Sequence, residues 1–181
     1  SLDLEIPELL ADLGQSLLGR SQRLAFDQLF QIKVRGREHI PLNQQVLVVS
    51  NHCSHLDVGV IKHGLGEYGS RLATLAARDY FFDTPTKQEL FESFTHLIPV
   101  ERTGSLESSL SHAVDALNNG KLVLVFPEGT RSTTGTLQPF KHGVGYLQAK
   151  SQLPVLPVFV KGTFGALPKG SVIPKKRALS V

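Results

Sequence analysis

Between Asn51 and Asp57 the chain reads Asn-His-Cys-Ser-His-Leu-Asp, which sets an imidazole and a carboxylate five residues apart beside a helix-start signal. On one continuous helix, side chains at that spacing point roughly 140° away from each other and do not meet. Ser54 followed by Asp57 is the pattern of a capping box, which puts the helix start at Ser54 and leaves His52 in the preceding turn. From that turn the imidazole can fold back onto the carboxylate. A carboxylate on one ring nitrogen fixes the tautomer and steadies the imidazolium, while the other nitrogen stays free to take a proton. The chemistry on offer is that of a general base, His52, oriented by Asp57. A plainer reading stands beside it, with Asp57 as a helix cap and His52 as a polar turn residue.

A second cluster is Phe126-Pro127-Glu128-Gly129-Thr130-Arg131-Ser132. Gly129 lets backbone approach a ligand closely, Thr130 and Ser132 offer hydroxyls, and Arg131 offers a planar fork that matches phosphate geometry. Together they form an anion cradle. Glu128 either holds Arg131 in position or accepts a hydrogen bond from a substrate hydroxyl. Lys141, just before a glycine-rich helix start, either adds a second positive charge near the same anion or is simply exposed. Two other chemistries are open. Cys53 beside His52 invites a thiol hydrolase, although adjacent residues rarely face one another and a small buried residue is the simpler account. His52, His55, Asp57 and His63 have spacings compatible with a metal site, although His55 and His63 read more simply as helix-face residues.

These residues need elements to hold them. Val46 to Val49 is a β-branched run ended by Ser50 and Asn51, and Leu122 to Phe126 is a continuous apolar run broken by Pro127; both read as buried strands. Further strands are expected at 32–34, 72–77, 96–100 and 155–160, with helices from Ser54, over 87–94, from Ser105 to Leu117, and over 143–150. Strands alternating with helices predict an α/β fold with a mixed, largely parallel central sheet flanked by helices. If the strands at 46, 97, 122 and 155 are parallel, their carboxyl ends share the edge at which open α/β sheets bind ligands. That edge then carries His52 with Asp57, Arg102, the segment from Glu128 to Arg131, and Lys161. Residues 1–30 read as an N-terminal helical segment, with a stripe of Leu9, Leu10, Leu13, Leu17 and Leu18, packed on one domain spanning 31–181.

Composition bounds the partners. A chain of 181 residues that is 41% hydrophobic and 19% charged is an ordinary globular domain, which excludes disordered and low-complexity classes. The single cysteine excludes an internal disulfide framework and a CxxC site, and suits a reducing compartment. A net charge of +3 suits anionic lipid surfaces or phosphorylated substrates. The basic residues are scattered without aromatic interleaving, so nucleic acid is not an expected partner. No apolar run approaches the ~20 residues of a spanning helix, and no secretory signal is visible. The chain lacks methionine altogether, which suggests a processed or excised piece of a longer product.

Taken together, Asn-His-x-Ser-x-x-Asp at 51–57, Val-Glu-Arg at 100–102, Phe-Pro-Glu-Gly-Thr-Arg-Ser at 126–132 and Leu-Pro-Val-Leu-Pro-Val at 153–158 resemble the glycerolipid acyltransferase family, most of all its 1-acylglycerol-3-phosphate acyltransferases. The resemblance covers residues 31–177. It implies that His52 and Asp57 are the catalytic pair, that Arg102, Glu128, Gly129, Thr130 and Arg131 hold the acceptor's phosphate, and that Pro154 to Pro157 help shape the site. It further implies transfer of an acyl group from a thioester, acyl-CoA or acyl carrier protein, to the free hydroxyl of a lysophosphatidate in phospholipid biosynthesis. The expected partners are a lysophospholipid acceptor, a thioester co-substrate and a membrane surface approached from the cytoplasm, with no cofactor and no metal. An acceptor such as glycerol-3-phosphate is an alternative, as is a catalytically silent lipid- or phosphate-binding module, against which the intact His52 and Asp57 speak. Glu101 departs from the aspartate or apolar residue that often precedes the arginine in the family. The chain also stops where the family would continue a strand, so the carboxyl-terminal end of the domain is expected to be missing.

Overall fold

The computed structural model describes residues 28, 30–41, 44–77, 95–101, 105–171 and 173–181. In chain order its elements are β1 (Gln31–Lys33), β2 (Leu47–Ser50), α1 (Leu56–Leu65), β3 (Leu72–Ala77), β4 (His96–Val100), α2 (Leu106–Asn118), β5 (Leu122–Val125), α3 (Gly143–Ser151), β6 (Val155–Val158), α4 (Thr163–Ala166) and β7 (Ala178–Ser180). Five strands form one sheet in the order β4-β3-β5-β2-β6, and every neighbouring pair is parallel. β1 and β7 form a separate two-stranded parallel pair. Among the described residues every pairing within the central sheet is parallel, in keeping with the α/β fold expected. Among the described residues the antiparallel contact is an isolated bridge between Lys161 and Ser180.

The sequence explains the layering. β5 is apolar at every position and buried at every position, as a parallel strand covered on both faces must be. Val46, Val48, Leu122 and Leu124 face a core closed by Val60, Ile61 and Leu65 of α1. Leu47, Val123 and Val125 face the opposite core, closed by Leu110, Ala113 and Leu117 of α2 and Leu147 of α3. Fully burying each such valine, leucine or isoleucine contributes about 1.5–3 kcal/mol. The two strands that carry a proline, β4 with Pro99 and β6 with Pro157, are the two edges of the sheet, where a missing N–H can face away from the ladder.

The helix expected from Ser54 begins two residues later, at Leu56, and the strand expected to reach Val160 ends at Val158. α2 starts as expected: Ser105 caps it, its side chain accepting the Ser108 N–H at 3.1 Å. The N-terminal helical reading falls on residues that lie outside those described, apart from positions 28 and 30, and so does the helix over 87–94. No helix among the described residues is long and apolar enough to cross a membrane.

Candidate active site

The turn after β2 is organised by one carboxylate oxygen. Asp57 Oδ2 accepts hydrogen bonds from His52 Nδ1 at 2.9 Å, from the Cys53 N–H at 2.6 Å and from the Ser54 N–H at 2.9 Å. The bond to Ser54 is one arm of the capping box; the other is the Ser54 hydroxyl accepting the Leu56 N–H at 3.2 Å. Asp57 is fully buried, so these donors and the amino end of α1 compensate the loss of water around the charge. Its Oδ1 has no hydrogen-bond partner. The whole grip on the carboxylate therefore runs through Oδ2.

His52 is held from three sides. Its ring stacks on Phe126 with centroids 3.8 Å apart and planes 14° from parallel. Its N–H donates to Glu128 Oε1 at 2.7 Å, and its carbonyl accepts the Ser132 N–H at 2.7 Å. With Nδ1 engaged by Asp57, Nε2 is the nitrogen left for chemistry, and the side chain retains 15% exposure. Just before it, the Asn51 side chain bonds the Val160 backbone twice, accepting its N–H at 2.7 Å and donating to its carbonyl at 2.9 Å. An amide side chain thereby continues the seam between β2 and the chain leaving β6 after the backbone of β2 has turned away.

Glu128, expected beside the phosphate, is 3% exposed, and both its oxygens are taken by backbone N–H groups, of His52 and, at 2.8 Å, of Gln138. Both oxygens thus brace the turn, where an anionic acceptor suits backbone donors.

A cleft of about 570 Å³ opens at the carboxyl ends of the strands. Its lining combines apolar side chains, among them Leu75, Ala76, Val100, Leu110, Val125 and Val144, with the polar and cationic residues His52, Thr130, Arg131, Lys141 and Lys169 and with Gly129. Gly129 has φ +70°, and a Cβ there would lie 2.9 Å from the aliphatic end and Nζ of Lys141. Glycine thus both permits the turn and lets the lysine lie across it. Glu101 also lines the cleft, whereas Arg102 lies outside the described residues. Lys161, placed by the strand pattern at this edge, is not among the lining residues and pairs its backbone with Ser180. Lys169 escaped the sequence reading, which also reads Phe126 as a strand end and not as a platform for His52. Pro168 and Gly170 around Lys169 signal a turn, but nothing local says which way it faces.

The two competing chemistries lose ground on this geometry. Cys53 is buried, and its thiol is pushed up from the ordinary value by burial first and then by the charges of Asp57 and Glu128. A raised pKa means less thiolate at any given pH, the reverse of what a nucleophile needs. Cys53→Ala is therefore expected to leave acyl transfer nearly unchanged. Alkylation of the native thiol should be slow at neutral pH and quicken only above the usual thiol range. An acyl group trapped on Cys53 in a quenched reaction would contradict both. Among the described residues no three His, Cys, Asp or Glu side chains gather as a ligand set, so the spacing of His52, His55, Asp57 and His63 does not become a metal site.

A parallel α/β sheet with a histidine–carboxylate turn after one strand and a glycine–threonine–arginine turn after its neighbour agrees with a family match over residues 31–161 described as Acyltransferase. The chain belongs to the acyltransferase family. Its relatives include the 1-acyl-sn-glycerol-3-phosphate acyltransferase alpha of Mus musculus, 33% identical over 129 residues, which cover 71% of this chain and 44% of the relative. The 1-acyl-sn-glycerol-3-phosphate acyltransferase of Limnanthes douglasii is 32% identical over 143 residues, covering 77% of this chain and 48% of the relative. The crystal structure of the 1-acyl-sn-glycerophosphate (LPA) acyltransferase PlsC from Thermotoga maritima superposes with a TM-score of 0.68 at 29% identity, covering 92% of this chain and 66% of that one. The chain spans less than half the length of these two curated relatives.

Proposed function

We propose that this chain carries the transfer site of a 1-acylglycerol-3-phosphate O-acyltransferase, which moves an acyl group from a thioester donor to the free hydroxyl of a lysophosphatidate and yields phosphatidic acid. The observation that carries it is the pairing of His52 with buried Asp57 in the wall of a cleft whose lining holds both cationic and apolar side chains. Relatives named for this activity support the acceptor.

In this reading His52 Nε2 takes the hydroxyl proton as the oxygen attacks the thioester carbonyl, and Asp57 stabilises the imidazolium. The tetrahedral intermediate collapses with loss of a thiolate, which the imidazolium then protonates. A thiol pKa of ~8.5 makes that departure undemanding, so neither a strong acid nor an enzyme nucleophile is needed. Arg131 and Lys141, with Gly129 and Thr130, bind the acceptor phosphate, joined by Arg102; Glu128 fixes the turn that presents the base. The apolar side chains of the cleft receive an acyl chain. The reaction uses two substrates and no cofactor. An amphiphilic acceptor places it peripherally at a membrane surface, and the single buried thiol suits a reducing, cytoplasmic setting.

Product analysis tests this directly. Purified protein given a labelled acyl thioester and lysophosphatidate, glycerol-3-phosphate or monoacylglycerol should acylate the lysophosphatidate; thioester hydrolysis without transfer would refute it. Arg131→Lys should raise the apparent KM for lysophosphatidate roughly tenfold, because lysine cannot reproduce a bidentate bond to phosphate, with little change for the thioester. Combined with Arg102→Ala, it should depart from additivity, as groups sharing one partner do. Equal losses on lysophosphatidate and on monoacylglycerol would mean that the arginines do not recognise phosphate.

A further inference from the structure

The segment from Ser132 to Lys141 has no helix or strand, yet its backbone is fastened along its length. The Ser132 hydroxyl accepts the Gly135 N–H at 3.0 Å and donates to the Thr136 carbonyl at 2.8 Å. The Gln138 N–H donates to Glu128 Oε2 at 2.8 Å, and the Lys141 N–H to the Pro127 carbonyl at 2.8 Å. Gly135 lies so close to the Phe164 ring that a Cβ there would fall 2.8 Å from it. On this frame Leu137 and Phe140 stand 57% and 55% exposed. The backbone that presents them is tied through Glu128 to the catalytic turn, since Glu128 accepts the N–H of Gln138 with one oxygen and that of His52 with the other. The loop joins Arg131 to Lys141, both of which line the cleft, and Lys169 lines it from the turn after α4. Two projecting apolar side chains therefore lie on a loop that begins and ends at basic residues of the cleft.

We propose that this loop is a membrane-docking element. Leu137 and Phe140 enter the apolar boundary of an anionic lipid surface, Lys141 and Lys169 lie at headgroup level, and the cleft opens onto the layer that holds an amphiphilic acceptor. The chemistry is that of interfacial anchoring, in which buried apolar area and attraction to anionic lipid add. The choice of a bilayer over a protein partner rests on the acyltransferase reading, whose acceptor is itself a lipid. The mode of attachment rests only on the loop.

The test is partitioning of the full chain onto vesicles of phosphatidylcholine alone and of phosphatidylcholine with phosphatidylglycerol as a minor component. Wild type should favour the anionic vesicles, and added salt should weaken that preference. The double variant Leu137→Ser, Phe140→Ser should partition at least about tenfold more weakly, since two side chains of this size leave the apolar layer. It should keep wild-type transfer to a water-soluble short-chain lysophosphatidate. Unchanged partitioning of the double variant would overturn the proposal, as would an equal loss from Phe159→Ser on the exposed sheet edge. It would equally be overturned if the double substitution abolished a concentration-dependent self-association while vesicle binding persisted. Partitioning needs no turnover, so a protein that binds through this loop but transfers nothing would sink the proposed activity and leave the docking intact.

Discussion

His52→Ala is expected to lower the rate of acyl transfer by about a hundredfold to ten-thousandfold while the protein stays folded. Three of the contacts that define its turn are backbone bonds, to Glu128, Ser132 and the neighbouring Asp57 network, and survive loss of the ring. What disappears is the imidazole, which holds Nδ1 on Asp57 and lines the cleft. Measured kcat together with a thermal melt checks this. Near wild-type turnover would mean that some other group takes the proton, and a collapsed melt would mean that stacking on Phe126 matters more to the fold than to chemistry.

Asp57→Asn separates two duties that the sequence leaves entangled. The amide oxygen can occupy the Oδ2 position and still accept the His52, Cys53 and Ser54 donors, so the turn and the start of α1 should persist. The negative charge beside the imidazolium is lost, and the amide NH2 arrives where Oδ1 has no partner, at a cost of about 1–3 kcal/mol. We expect a loss of transfer of about a hundredfold or more with a modest fall in stability, whereas Asp57→Ala should unfold the turn as well. Wild-type turnover in Asp57→Asn would reduce this residue to a helix cap. The decisive readout is kcat set against the melting temperature for both variants.

Much of the framework is legible in the sequence because its signals are local. Apolar runs at 72–77 and 96–100 become strands with those bounds, and Ser105 caps α2 through a pattern spanning four positions. The meeting of His52 and Asp57 is likewise a short-range consequence of a turn followed by a cap. The rest depends on partners far apart in the chain. Glu128 carries charge and follows a strand, so it resembles a ligand-facing residue; its actual donors are the N–H of His52, 76 positions away, and of Gln138, and no composition or period foretells them. Lys169 reaches the cleft because the carbonyl of Leu167 accepts the Ser54 hydroxyl at 2.7 Å, a contact spanning 113 positions. Phe126 looks like the last residue of a buried strand, which it nearly is, and gains its role only because the turn after β2 lays an imidazole upon it.

The proposed base follows β2 and the proposed phosphate cradle follows β5, and these two strands are immediate neighbours in register, Leu47 with Val123 and Val49 with Val125. Neighbouring strands sit about 4.8 Å apart, a spacing dictated by backbone hydrogen bonds and hence the same whatever side chains the strands carry. The sheet then works as a ruler: it sets how far from its anchored phosphate an acceptor may carry the oxygen that reacts. Changes within the cradle alter how tightly a molecule is gripped, but which of its hydroxyls comes within reach of the imidazole is written into the backbone.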